Sequence, residues 1–230
     1  MIDKRKLENI LFFVSLFFVI LGAIGFTRGF YISMTTSTPG LTYSRLPLGD
    51  LEGIAVDDTG NIYCASPFYS RVQVYDIKGR FIYGLKIPAN GGSFSIDIDE
   101  AQNLLVQTAR NNMLYVFNQS GKLIQQKETK AEYDIFKSRL EFIDNYNNRY
   151  LIKNRFLFPH ITIITPDGKV KTVVSNSLLD WFLSGPLPSW LFFAVGFLTI
   201  FIILGVPSEL ADAQKKRRES RRTKKPIIEV

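Results

Sequence analysis

Histidine and cysteine are almost missing from the 230 residues, which hold only His160 and Cys64. A lone cysteine excludes an internal disulfide and a multi-cysteine metal site; inside the apolar run Ile62-Tyr63-Cys64-Ala65 it reads as a small buried hydrophobe. A lone histidine leaves a Ser-His-Asp arrangement one possible base, and no G-x-S-x-G stretch occurs. His160 follows Pro159 at a strand start and reads as a loop residue. The expectation is therefore of a chain that is not an enzyme, with no cofactor and no metal. Residues 28–182 also lack a charge excess, carrying +2 of the total of +7, while residues 1–9 carry +1 and residues 207–230 carry +4. The basic excess sits in the tails, so nucleic acid is not implied.

Apolar runs are present, and there are two. Ile10 to Phe26 contains no charge, and with Leu7 as a flank it reaches the roughly 20 residues that cross a hydrocarbon core. Leu187 to Val206 is the second, with Pro188 suited to a first helical turn, Trp190 to an interface and Pro207 to a stop. Both read as spanning helices; for the first, a cleaved signal peptide is the alternative, because Lys4, Arg5 and Lys6 precede it and Ala23-Ile24-Gly25 resembles a cleavage site. Basic residues flank both spans on one side: Lys4 to Lys6 at one end, and eight basic residues within 215–225 at the other. By the positive-inside rule both termini are expected in the cytoplasm of a cell-membrane protein and the middle outside. Lys215, Lys216, Arg217, Arg218, Arg221 and Arg222 are expected to meet anionic lipid. The expected organisation is a cytoplasmic tail (1–9), a first span (10–27), an exterior domain (28–182), a second span (187–206) and a basic cytoplasmic tail (207–230).

The exterior stretch repeats itself. GIAVDDTGNIYCA (53–65) and SRVQVYDIKGRFIYG (70–84) are followed by SFSIDIDEAQNLLVQ (93–107) and NMLYVFNQSGKLIQQ (112–126). Asp57 recurs as Asp99, Asn61 as Asn103, Tyr75 as Phe117 and Gly79 as Gly121, all 42 residues apart. A looser third unit is RLEFIDNYNNRYLIK (139–153) with HITIITPDGKVKTVV (160–174), in which Arg149-Tyr150-Leu151 stands where the first has Asn61-Ile62-Tyr63. Each unit reads as four short strands, with Asp/Asn turns in the first hairpin and glycines supplying a positive φ in the second. Asp57, Asp58, Asp97, Asp99 and Glu100 cluster at the first turn and read as hairpin formers rather than cation ligands.

Four antiparallel strands per 40 to 50 residues is the signature of a propeller blade. The first unit resembles an NHL repeat: an apolar strand ending in Asp, a Gly-Asn turn, a second strand, a variable loop, then Arg71-Val72-Gln73-Val74-Tyr75 before a glycine turn. The resemblance covers about residues 50–175 and implies a β-propeller, a scaffold of binding platforms and occasional enzymes. The expected fold is mainly β, an incomplete propeller of about three NHL-like four-stranded blades flanked by two transmembrane α-helices. Residues 29–49, through Tyr31, Leu41, Tyr43 and Leu46, can add strands to an end blade. Three blades expose apolar end faces of the kind formed by Ile54, Val56, Ile62, Val72 and Val74, so a second copy, another half-propeller or a compact open sheet must deal with them. Homo-oligomerisation or a partner protein is expected.

The connections between second and third strands are the variable ones, and they contain Tyr69, Arg71, Arg110, Arg155, Phe156 and His160. This basic and aromatic set is the expected binding surface for a protein, peptide or glycan. The expected function is a membrane-anchored exterior binding or assembly module, the alternative an accessory subunit of a membrane enzyme or transport complex. Labelling of intact cells from outside is predicted to reach Lys122 and Lys153 and to spare Lys216; protection of the repeats would overturn the exterior assignment.

Overall fold

A computed structural model describes residues 4–129, 139–154, 158–178, 180 and 186–203. The chain divides into two compact units, residues 1–23 with 190–230 and residues 24–189. In the first unit residues 10–23 of helix α1 (Lys4–Thr35) and residues 190–203 of helix α2 (Pro186–Ile203) are apolar on all sides. Phe18 stacks on Phe192 with ring centroids 5.4 Å apart. A Cβ at Gly196 would lie 2.6 Å from the Ser15 carbonyl oxygen, so glycine is what lets the two helices approach. Asn9–Thr35 is long and apolar enough to cross a membrane; Pro188–Ile203 is apolar but shorter, and residues 204–206 of the expected second span lie outside the described residues.

Helix α1 runs eight residues past the expected end of the first span, so Tyr31 is helical and not a strand residue. No proline interrupts the chain before Pro39, and the last turns have a surface to pack on. Phe26 meets Phe68 at 6.3 Å, and the Ser33 and Ser70 hydroxyls share a buried hydrogen bond of 2.9 Å.

Thirteen strands follow among the described residues of the second unit. They are β1 (Gly40–Thr42), β2 (Gly53–Val56), β3 (Ile62–Ser66), β4 (Arg71–Tyr75), β5 (Phe81–Lys86), β6 (Phe94–Ile98), β7 (Leu104–Thr108), β8 (Met113–Phe117), β9 (Leu123–Glu128), β10 (Glu141–Ile143), β11 (Arg149–Lys153), β12 (His160–Ile164) and β13 (Val170–Ser175). They form three antiparallel sheets, each made of strands consecutive in sequence, with β1 added to the outer edge of the first beside β5. This is the four-stranded blade of a propeller, three times over, and the mainly β, propeller-like architecture expected from the repeats is present. Leu41 joins β1 as expected, whereas Leu46 is buried outside any strand.

The blades do not stand in chain order. On blade 1 the residues Ala55, Tyr63, Ala65, Val72 and Val74 pack with Phe94, Ile96, Leu104, Val106, Tyr115 and Phe117 of blade 2. Its opposite face, Ile54, Val56, Ile62, Cys64 and Tyr75, packs with Tyr150, Ile161, Ile163 and Val174 of blade 3. Blade 1 is thus the middle sheet. The apolar residues of the first unit expected to form an exposed end face are covered on both sides by the chain itself.

One turn builds both hairpins of every blade. In Asp57–Asn61 the first N–H donates to the fifth carbonyl at 3.1 Å and the fourth N–H to the first carbonyl at 3.0 Å; the same pair of bonds recurs in 76–80, 99–103, 118–122, 144–148 and 165–169. The fourth residue is left-handed, as a type I turn with a following bulge requires: Gly60, Gln102 and Asn147 in the first hairpins, Gly79, Gly121 and Gly168 in the second. Glycine is demanded beyond φ at two of these. A Cβ at Gly79 would lie 1.7 Å from the Val173 carbonyl oxygen of blade 3, and at Gly121 it would press on Leu41 and Tyr83 of blade 1, while at Gly168 nothing lies within 4 Å. Gly79→Ala is therefore expected to cost more than about 3 kcal/mol, since overpacking against backbone adds to the left-handed penalty. Gly168→Ala is expected to cost only about 1 kcal/mol. Equal melting temperatures for the two variants would refute this seating of blade 1 on blade 3.

Candidate functional site

The strand order gives each blade two unlike ends. All six five-residue turns lie at one end, and at the other lie the connections 66–70, 87–93 and 108–112 together with both chain links to the apolar helices. At the turn end the three first-hairpin turns meet around a cleft of about 450 Å³. Its floor is Val56, Ile98, Phe142 and Tyr150; its rim includes Asp58, Ile77, Asn145 and Tyr146. Asp57, Asp58, Asp99 and Asp144 line it, and no lysine or arginine does among the described residues.

Each repeat aspartate is held by its own turn. Asp57 accepts from the Thr59 N–H (3.0 Å) and hydroxyl (2.7 Å), the Asn61 N–H (2.8 Å) and amide (2.9 Å), and the Tyr63 hydroxyl (3.0 Å). Asp144 accepts from the Tyr146 and Asn148 N–H groups, the Asn148 amide and the Tyr150 hydroxyl. Asp99 has the N–H and amide of Asn103. These bonds support the hairpin reading of the carboxylates, and among the described residues no group of three or more His, Cys, Asp or Glu side chains is placed to hold a metal. Burial foremost, with the nearby carboxylate adding to it, pushes the Tyr63 and Tyr150 phenols well above their usual range, so both stay protonated as donors. Tyr150 corrects the alignment of the third unit. Asn148-Arg149-Tyr150 corresponds to Asn61-Ile62-Tyr63, one residue earlier than the sequence reading places it; the six-residue spacing from Asp to Tyr was the signal that could have shown this.

The cleft is joined across blades. The Asp58 N–H donates to the Gln102 side chain at 2.9 Å, and the Gln119 amide donates to the Asp58 carboxylate at 3.1 Å. The Ile54 N–H donates to the Arg139 carbonyl at 2.9 Å, and the Arg139 guanidinium pairs with Asp97 of blade 2 at 3.1 Å. Arg139 thereby ties the start of blade 3 to both other blades.

The loop-end residues expected to bind do not form a common surface. Tyr69 is only 2% exposed, in a short 3-10 turn against which the end of α1 packs. Arg71 is half-buried on β4. Arg110 is exposed and donates to the Asn90 carbonyl at 2.6 Å. His160 lines a separate cleft of about 240 Å³ with Phe158, Pro159, Thr172, Ser175 and Asn176, its Nδ1 3.0 Å from the Phe158 carbonyl. Arg155 and Phe156, like the basic tail from Lys215 to Arg222, lie outside the described residues. The end of α1 packs on the blade 1 connection through Phe68 and Ser70, which accounts for the burial of Tyr69.

Among solved structures the chain is similar to a streptogramin B lyase, at 11% identity over 59% of this chain and 44% of that one, with a TM-score of 0.34. It is also similar to virginiamycin B lyase from Staphylococcus aureus (13% identity, 59% and 45% covered, TM-score 0.33) and to a catalytically inactive histidine-to-alanine variant of that lyase with quinupristin (15%, 59% and 45%, 0.33). A protein of unknown function from Bacteroides caccae is similar at 17% identity, 55% and 46% covered, with a TM-score of 0.30. The chain spans less than half the length of each. No family profile and no curated protein matches it. At these scores the likeness assigns no reaction to this chain. The lyases among these neighbours are enzymes, and the expectation that the chain is not an enzyme is corrected on that finding. It rested on a single histidine and a missing G-x-S-x-G, which exclude a hydrolase triad of that type and not lyase chemistry.

The turn bonds predict a graded loss of stability. Asp57→Ala, which strands five donors, is expected to cost about 3 kcal/mol or more, and Asp99→Ala, which strands two, about 1–2 kcal/mol. Chemical denaturation of the two variants measures this; a larger loss at Asp99 would contradict the assignment.

Proposed function

We propose that the chain is a membrane-tethered binding module whose turn-end cleft holds a cationic group, the lysine or arginine of a protein or peptide partner. The observation that carries this reading is the convergence of three repeat-equivalent turns on one cleft lined, among the described residues, by four aspartates and no basic side chain. Phe142, Tyr146 and Tyr150 add aromatic faces on which a cation is attracted by the ring quadrupole. Tyr146 is 73% exposed and Asp58 is exposed, so both are placed at the rim for an incoming side chain. The blades are of NHL type in this proposal, supported by the strand and turn pattern of the first unit. The helix Asn9–Thr35 is the tether, α2 is the second span, and the blades lie outside with the basic tail on anionic lipid. A partner protein, or a second copy of the chain, takes the cleft at the turn end of the blades.

The test is titration of the full chain in lipid nanodiscs with a short lysine- and arginine-rich peptide, followed by calorimetry. The double variant Asp58→Asn with Tyr146→Ser removes a rim charge and an exposed ring without touching the turn bonds of Asp57, Asp99 and Asp144. Its affinity is expected to fall about tenfold, the sum of a partly screened charge and a cation–π contact, with an unchanged melting temperature. Equal affinity in wild type and variant would reject the cleft as the binding site.

A further inference from the structure

Strand β4 carries a row of polar side chains, some of whose buried donors have no partner among the described residues. Alternation along the strand puts Arg71, Gln73 and Tyr75 on one face, together with their cross-strand partners Ser66, Cys64 and Ile62. This is the face that turns toward blade 3 and toward the buried Leu48 and Leu51. Gln73 is 1% exposed; its Oε1 accepts the Leu46 N–H at 2.8 Å, which fixes the amide orientation and leaves Nε2 as a donor without a partner. Nε and Nη1 of Arg71 are buried without a partner among the described residues, while the buried Tyr75 hydroxyl has the Arg45 guanidinium beside it. Burial lowers the pKa of the Arg71 guanidinium. Lys86 lies directly opposite Arg71 across the β4–β5 ladder and therefore shares its face. Neither Arg71 nor Lys86 is in an ion pair among the described residues.

Three donor atoms, and two cations without an ion pair among the described residues, are unfavourable on one stretch of sheet unless an acceptor completes them, since a buried donor left unpaired loses its hydration for nothing. Nε and an Nη of one guanidinium form the edge that grips two oxygens of an oxyanion. Gln73 lies about 6.6 Å along the strand from Arg71, near enough for its amide to reach a third oxygen of the same group. Arg71 itself is only half-buried, which leaves an opening to solvent.

We propose that Arg71, with Gln73 and Lys86, forms a binding site for a phosphate-type oxyanion at the loop end of blade 1. The site is separate from the turn-end cleft and stands whether or not that cleft binds a cation. A lipid headgroup is the source favoured by position. Ser70, the residue before Arg71, bonds Ser33 of helix α1, Phe68 meets Phe26, and a Cβ at Gly29 would fall 2.2 Å from the Phe68 ring, so the apolar helix ends against this very connection. A free phosphate has the same chemistry and is distinguished by experiment.

The experiment is thermal unfolding of the full chain in two arms. In neutral detergent and a buffer without oxyanions, inorganic phosphate is titrated; in nanodiscs, phosphatidylcholine alone is compared with phosphatidylcholine containing phosphatidylglycerol. Wild type is expected to show a saturable rise of about 3–6 °C at ten times Kd in the phosphate arm, or a corresponding rise on adding phosphatidylglycerol. The first result identifies a free anion and the second a headgroup. Arg71→Met is expected to abolish the response in both arms. Gln73→Glu keeps an oxygen for the Leu46 N–H and sets a carboxylate beside Arg71, so it is expected to melt higher without added anion and to respond no further. No response of wild type in either arm, or an undiminished response in both variants, would overturn the site and leave the donors to ordered water.

Discussion

The burial of blade 1 on both faces is the constraint on which the second unit depends. Every residue of β2 and β3 is buried, which is unusual for an antiparallel sheet that could face water on one side. Because paired strands alternate their side chains, Ile54 and Cys64 go to blade 3 while Ala55 and Tyr63 go to blade 2. A shift of one residue in any of these ladders would exchange the two sets, so the register of blade 1 is specified twice over. The outer blades are specified by what they must cover. Their strands beyond the contact are more polar, as β9 and β13 show by being largely exposed.

Turn chemistry was the most legible part of the fold. The recurrence of Asp57 as Asp99 and of Gly79 as Gly121 locates two turns in two blades, and the strands between them follow from alternation. The reading missed that Asp76, Asn118 and Thr165 begin second-hairpin turns of the same form, where Asp76 and Asn118 accept the fifth N–H at 2.9 Å as the first-hairpin aspartates do. The neighbours of each blade were not legible at all. Apolar alternation states that a face is covered and is silent on which sheet covers it, so an end blade and a middle blade look alike in sequence. The same holds for the candidate site. Basic and aromatic residues in variable connections suggested a surface at the loop end, but packing of α1 on Phe68 and Ser70 is a long-range event that no local pattern announces. The acidic cleft escaped for a related reason, since its carboxylates were correctly read as hairpin formers one at a time and their convergence is a property of the blade arrangement.

The two ends of the blades divide the chemistry. The turn end holds the aspartate-lined cleft and is built from backbone locked by short loops; the loop end holds the connections between hairpins and the Arg71 and Gln73 donors of β4. A four-stranded antiparallel unit returns the chain to the end it entered, so both tight turns of each blade share one end; β1 is the addition that departs from this, since it runs toward the turn end and residues 43–52 bring the chain back to the start of β2.

Placing blade 1 between its two successors has a consequence for synthesis. Blades 1 and 2 are complete once the chain reaches Glu128, and their shared core can then form, but the second face of blade 1 waits for residues 141–175. Until those residues emerge, Ile54, Val56, Ile62 and Cys64 form a wet apolar sheet on a nascent chain whose first apolar segment is already available to a membrane. Partly made sheets with open faces are the species that aggregate. The late third blade thus acts as an internal chaperone for the first, and the interval before it arrives is the period in which this chain is most exposed to misassembly.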